Sequence, residues 1–91
     1  METNPNGKLI ILSHRPLHEI AREINADWGG KGKGVNFAAK PYLDAMAELQ
    51  SIDDTYWCDS GKSIVRYFLS NAGSWRGDTA RRIKAELKGL V

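Results

Sequence analysis

From Lys62 onward the apolar residues fall at Ile64, Val65, Phe68, Leu69 and Ala72, while Lys62, Ser63, Arg66 and Ser70 occupy the opposite side of a helical wheel. This spacing predicts a surface helix over residues 60–72, capped by Asp59 or Ser60 and ended by Gly73 in a left-handed conformation. Ser74 then reads as a second N-cap. Trp75, Thr79, Ile83, Leu87 and Leu90 carry the stripe of a further helix over 74–89, with Ala80 at its edge and Arg81, Lys84 and Lys88 facing away. The two amphipathic stretches read as a helical hairpin that the rest of the chain covers.

Upstream, Leu17, Ile20, Ala21, Ile24 and Trp28 recur at helical spacing behind Pro16, a residue suited to a first helical position, and predict a helix over 16–28 with Glu19, Arg22 and Glu23 outside. Four glycines in the six residues 29–34 then forbid regular structure, so Lys31-Gly32-Lys33-Gly34 reads as a flexible basic loop. Asn36 can cap a helix over 36–50 whose buried stripe is Tyr42, Leu43, Met46 and Leu49. Pro41 inside that pattern means either a short turn followed by a helix from Pro41 or one helix kinked there. Residues 51–59 read as a loop with three aspartates, in which Tyr56 and Trp57 pin the loop to the core.

The start of the chain is less regular. Residues 1–8 are turn-rich and expected to be disordered. Residues 9–12, Leu-Ile-Ile-Leu, form a run too short to separate a buried strand from an apolar arm, and with no second strand of comparable strength in the chain, a strand here would pair with another subunit in a homodimer. The fold class expected is all-α: one domain over residues 1–91, a small bundle of about four helices with a candidate N-terminal strand or arm.

Composition narrows the function classes. With 42% hydrophobic and 26% charged residues the chain has the balance of a soluble globular domain, and its net charge of +2 is too small to announce a nucleic-acid partner by itself. The positive charge is local: Arg76, Arg81, Arg82, Lys84 and Lys88 face only Asp78 and Glu86 in the same stretch. A single cysteine, Cys58, rules out an internal disulfide and fits a reducing cytoplasm, and no apolar run has transmembrane or signal-peptide character. A cytoplasmic protein without membrane partners is expected.

The chemical motifs are mostly incomplete. Gly61-Lys62-Ser63 matches the end of a phosphate-binding P-loop, but the glycine required five residues before Gly61 is Tyr56. His14 and His18 are four apart, yet Pro16 starts the helix between them and nothing completes a tetrahedral metal set. Cys58 with a histidine makes no recognisable nucleophilic site. No catalytic residues, metal or cofactor are expected. The Gly/Lys loop could wrap an anion through exposed N–H groups. A helix-turn-helix reading of residues 60–88 fails on register, since Ser74, Thr79 and Arg82 fall where that motif packs apolar side chains; backbone contact by the basic helix remains open.

Arg76 is the anomaly. On a helix over 74–89 it projects between Ile83 and Leu87, in the apolar stripe, where an unpaired guanidinium is strongly unfavourable. Three resolutions exist: its stem covers apolar surface while its head reaches water, it is latched by Asp53, Asp54 or Asp59, or it binds a ligand.

Two segments, Ala39-Lys40-Pro41-Tyr42-Leu43-Asp44-Ala45-Met46 and Tyr67-Phe68-Leu69-Ser70-Asn71-Ala72 with Trp75-Arg76-Gly77 and Ala80-Arg81-Arg82-Ile83-Lys84, together with the region 23–28, resemble a group of small uncharacterised proteins of bacteriophages, prophages and other mobile elements. The resemblance spans residues 17–90 and implies a small accessory protein that acts by binding inside a bacterium; it carries no active site. The expected function is a non-enzymatic binding or regulatory protein contacting nucleic acid or a host protein through Arg76, Arg81, Arg82, Lys84, Lys88, Trp57, Lys31 and Lys33. An inhibitor of a bacterial defence nuclease is one alternative, and a small enzyme with an unrecognised site is another.

Overall fold

The computed structural model describes residues 14–91, so the expectations for residues 1–8 and for the run 9–12 lie outside the described residues. Four helices follow in order: α1 (Leu17–Trp28), α2 (Lys40–Met46), α3 (Gly61–Ser70) and α4 (Asp78–Lys88). Between α2 and α3 stands a small antiparallel hairpin, β1 (Thr55–Tyr56) and β2 (Asp59–Ser60), in register Thr55↔Ser60 and Tyr56↔Asp59. The described part is thus mostly helical, with a hairpin where an irregular loop was expected. No helix of the described residues is long and apolar enough to cross a membrane.

Most of the expected stripe positions are buried, while Tyr42, Leu69, Thr79 and Leu90 are only partly so. Leu17, Ile20, Ala21, Ile24 and Trp28 are all buried, as are Leu43, Met46 and Leu49, then Ile64, Val65 and Phe68, and finally Ala80, Ile83 and Leu87. These form one core. Its arrangement differs from a two-helix hairpin under cover: α3 packs chiefly on α2, and α4 on α1, with α1 also against α2. Trp75 bridges α1 and α3, and an ion-pair chain ties α1 to α4. Arg15 donates to both carboxylate oxygens of Glu86, at 2.9 and 2.8 Å, and lies 2.9 Å from Glu23, which also pairs with Arg82.

Helix ends account for most of the remaining differences. Pro16 precedes α1 rather than opening it, and the first amides of α1 are satisfied by the chain itself: Leu17 N–H donates to Gln50 O and His18 N–H to Leu49 O, both at 2.9 Å. Helix α2 covers only Lys40–Met46. Asn36 does not cap it; its Oδ1 accepts from Ala38 N–H in a preceding turn, and Pro41 sits in the first turn of the helix, where it breaks no hydrogen bond and makes no kink.

At the start of α3, Ser60 is the cap, with Oγ accepting from Ser63 N–H at 3.1 Å. Gly61 N–H donates to Asp54 O at 2.7 Å and Lys62 N–H to Ile52 O at 3.1 Å, so the amides that a P-loop would offer to phosphate are consumed internally. Gly61 is needed here for space: a Cβ would stand 2.8 Å from Ile52 Cα and from Ser51 O. Helix α3 ends without a left-handed Gly73. Instead Asn71 Nδ2 donates to Tyr67 O at 2.8 Å and Ser70 Oγ to Arg66 O at 3.1 Å, closing the last turn with side chains.

Helix α4 starts later than the stripe suggested. Gly77 has φ 113°, a conformation that side-chain-bearing residues rarely adopt, and it stands as the N-cap of a helix beginning at Asp78. Ser74, Trp75 and Arg76 therefore precede the helix, and the conflict at Arg76 dissolves: its side chain is exposed rather than buried in a stripe. The aspartate latch does not form. Among the described residues Arg76 has no carboxylate partner, while Asp54 Oδ2 accepts from the amides of Gln50 and Ser51.

Candidate functional site

The segment 74–77 runs alongside the Gly/Lys loop, and the two are joined through one carboxylate. Trp75 is 1% exposed, lying parallel to Trp28 with ring centroids 5.6 Å apart, and Phe68 meets both edge-on. Its indole N–H donates to Asp27 Oδ2 at 2.9 Å, and Lys31 Nζ lies 3.1 Å from that same oxygen. Lys31 Nζ also donates to Arg76 O at 3.1 Å, crossing from loop to segment. The indole N–H first, and Lys31 second, hold the Asp27 carboxyl below the usual range for an aspartate.

The loop itself is ordered by local bonds: Lys31 N–H donates to Trp28 O at 3.1 Å and Gly34 N–H to Lys31 O at 2.7 Å, with Gly32 and Gly34 at φ 48° and 83°. The segment folds as a run of turns, without regular secondary structure as its glycines predict. Between loop and segment opens a groove of about 590 Å³, with Trp28 and Trp75 contributing to its lining and Lys31, Lys33, Asn36, Phe37, Ser74 and Arg76 around it. Lys33 and Arg76 are exposed and have no carboxylate partner among the described residues. Phe37 is 88% exposed. Three cations thus line the groove, and Lys31 is already paired with Asp27 beside it.

The other expected site residues are dispersed. Arg81 pairs with Asp78 on its own helix, and Arg82 reaches Glu23 on α1. Lys84 turns inward, donating to Trp75 O at 2.7 Å with its ammonium 5.9 Å from the indole centroid; burial first, then repulsion from Lys88 and Arg76, pushes its pKa down. Lys88 is exposed in the last turn of α4. Within this helix Lys84 is turned toward the fold, while Arg81, Arg82 and Lys88 remain exposed, the first two paired with carboxylates.

Trp57 does not pin its loop. It is 87% exposed at the hairpin tip with φ 59°, while Tyr56 is the aromatic that packs partly against the core. It lies outside the groove, at the opposite end of α3 from Asn71.

Of the expected residues, then, the structure brings together Lys31, Lys33 and Arg76. Phe37, Asn36 and Ser74 join them without having been marked as site residues. The one signal for Phe37 was a large aromatic in a turn-rich stretch with no helical partner at i±3 or i±4 on an apolar face.

No family model, no curated protein and no solved structure matches the chain. Among the described residues no three of His, Cys, Asp and Glu converge as metal ligands would. The groove lining offers guanidinium and ammonium donors, an amide and a hydroxyl, together with one exposed aromatic side chain.

Proposed function

We propose that this protein is a non-enzymatic binding protein that holds nucleic acid by its phosphate backbone in the groove between the Gly/Lys loop and residues 74–76. The observation that carries the reading is that Lys33 and Arg76, both exposed and without carboxylate partners among the described residues, line one groove together with Lys31. Phosphate neutralisation by such cations releases counterions and gives affinity that falls steeply with salt. Arg76 supplies a planar fork for phosphate oxygens, and Lys33 a mobile point charge. We include the accessory role in a bacterial cell that the resemblance of residues 17–90 to small proteins of bacteriophages and other mobile elements implies.

The test is anisotropy of labelled oligonucleotides titrated with the full chain across a salt series. Binding that weakens linearly in log–log form is expected, with Lys33→Ala and Arg76→Ala each lowering the slope by roughly 0.7–0.9. Salt-independent binding, or slopes unchanged in both variants, would contradict it.

A second reading, docking on a host protein such as a defence nuclease, is favoured by Trp57. An exposed indole held at φ 59° combines strain with solvent-facing apolar surface, a combination often found where a side chain is presented to a partner. If that surface is used, Trp57→Ser abolishes co-purification of one host protein while nucleic-acid affinity is unchanged; if co-purification survives the substitution, the reading fails.

A further inference from the structure

Resting on the nucleic-acid reading, we infer that the groove takes a single strand, with one base stacked on the ring of Phe37 and neighbouring phosphates on Lys33 and Arg76. An exposed phenylalanine is unremarkable alone. What gives this one meaning is where it stands and how it is held. Phe37 lines the same groove as the cations, on a turn closed by Ala38 N–H to Asn36 Oδ1 at 2.8 Å and by Ala39 and Lys40 N–H to Asn36 O at 2.9 and 3.1 Å. That turn runs directly into α2, so the ring is carried on an ordered support.

The core aromatics Trp28, Phe68 and Trp75 stack among themselves and Tyr42 packs on Tyr67, whereas Phe37 has no ring partner among the described residues. Its face is open to a planar group. An aromatic face beside a cationic track is the arrangement by which proteins hold single strands, because every base has a π-face and the backbone carries the charge. A duplex keeps its base faces stacked on one another and offers phosphates, sugars and base edges but no free base face along its length. Asn36 and Ser74, also on the lining, supply an amide and a hydroxyl for sugar or base edges.

The experiment compares three probes at fixed low salt: an oligothymidylate, an abasic strand of equal length, and a duplex. Each is titrated with the wild-type chain, Phe37→Ser and Phe37→Tyr, circular dichroism confirming the fold of the variants. Wild type is expected to prefer oligothymidylate to the abasic strand by about tenfold, within the range of one stacked base. Phe37→Ser should erase that preference while keeping the salt slope, and Phe37→Tyr should restore it. Equal affinity of wild type for oligothymidylate and the abasic strand, tighter binding of the duplex, or a preference that survives Phe37→Ser would overturn the single-strand inference and leave the phosphate-binding groove standing. Failure to bind any of the three probes would overturn both.

Discussion

Trp75 is the residue at which core and site meet. Its ring packs on Trp28 and Phe68, its indole N–H holds Asp27, and its backbone carbonyl receives Lys84, so this one residue is tied by its side chain to α1 and α3 and by its backbone to the middle of α4. Trp75→Ala should cost about 3–5 kcal/mol, as large-to-small changes in a packed core do, read as a lowered urea midpoint with an unchanged slope. Arg76, its neighbour, should behave oppositely. Arg76→Met is expected to shift stability by no more than about 0.5 kcal/mol, the range of surface substitutions, while weakening oligonucleotide binding; a strongly destabilised Arg76→Met protein would return this residue to the fold. Burial of Trp75 was expected from the stripe of a helix over 74–89, yet the residue precedes α4 and is buried by packing on Trp28 and Phe68 instead. The exposure of Arg76 was not legible, because a helical wheel assumes one continuous helix and the positive φ at Gly77 interrupts it.

At the scale of elements, periodicity located four helices and their buried faces, and failed at their ends. The Ser60 cap of α3 was legible in the local pattern, whereas the start of α1 rests on the carbonyls of Leu49 and Gln50, more than thirty residues away, which no local pattern announces. Two glycines separate the cases. Gly61→Ala should destabilise markedly, since its Cβ would collide with backbone at 2.8 Å, whereas Gly73→Ala meets nothing within 4 Å at an ordinary φ and should be neutral or stabilising by up to about 1 kcal/mol. Thermal melts of the two variants check this directly.

The α1–α4 tie has a signature in acid. Arg82 first, and Arg15 second, hold the Glu23 carboxyl below its usual range, so ionised Glu23 stabilises the fold at every pH above the ordinary glutamate value near 4.3. That contribution is lost as pH falls through the depressed value. The gap in melting temperature between wild type and Glu23→Gln should therefore be full at pH 7 and close toward pH 3; a gap constant across that range would mean the pair does not contribute through charge.

For the whole molecule, a net charge of +2 concealed an uneven distribution. Of the basic residues of α4, Arg81 pairs with Asp78, Arg82 with Glu23 and Lys84 with the Trp75 carbonyl, and the cations that line the groove, Lys31, Lys33 and Arg76, come from two segments over forty residues apart. Lys31, Lys33 and Arg76 were each readable as candidates, but their convergence was not, because it depends on the stacking of Trp28 on Trp75 that brings loop and segment together. The measurement that bears most directly on the groove is amide chemical-shift mapping during titration of the isotopically labelled chain with an oligothymidylate. Shifts concentrated at residues 31–37 and 74–76, with residues 55–60 unmoved, are the result predicted. Shifts centred on Arg81, Arg82 and Lys88, or on Trp57, with the groove silent, would contradict it.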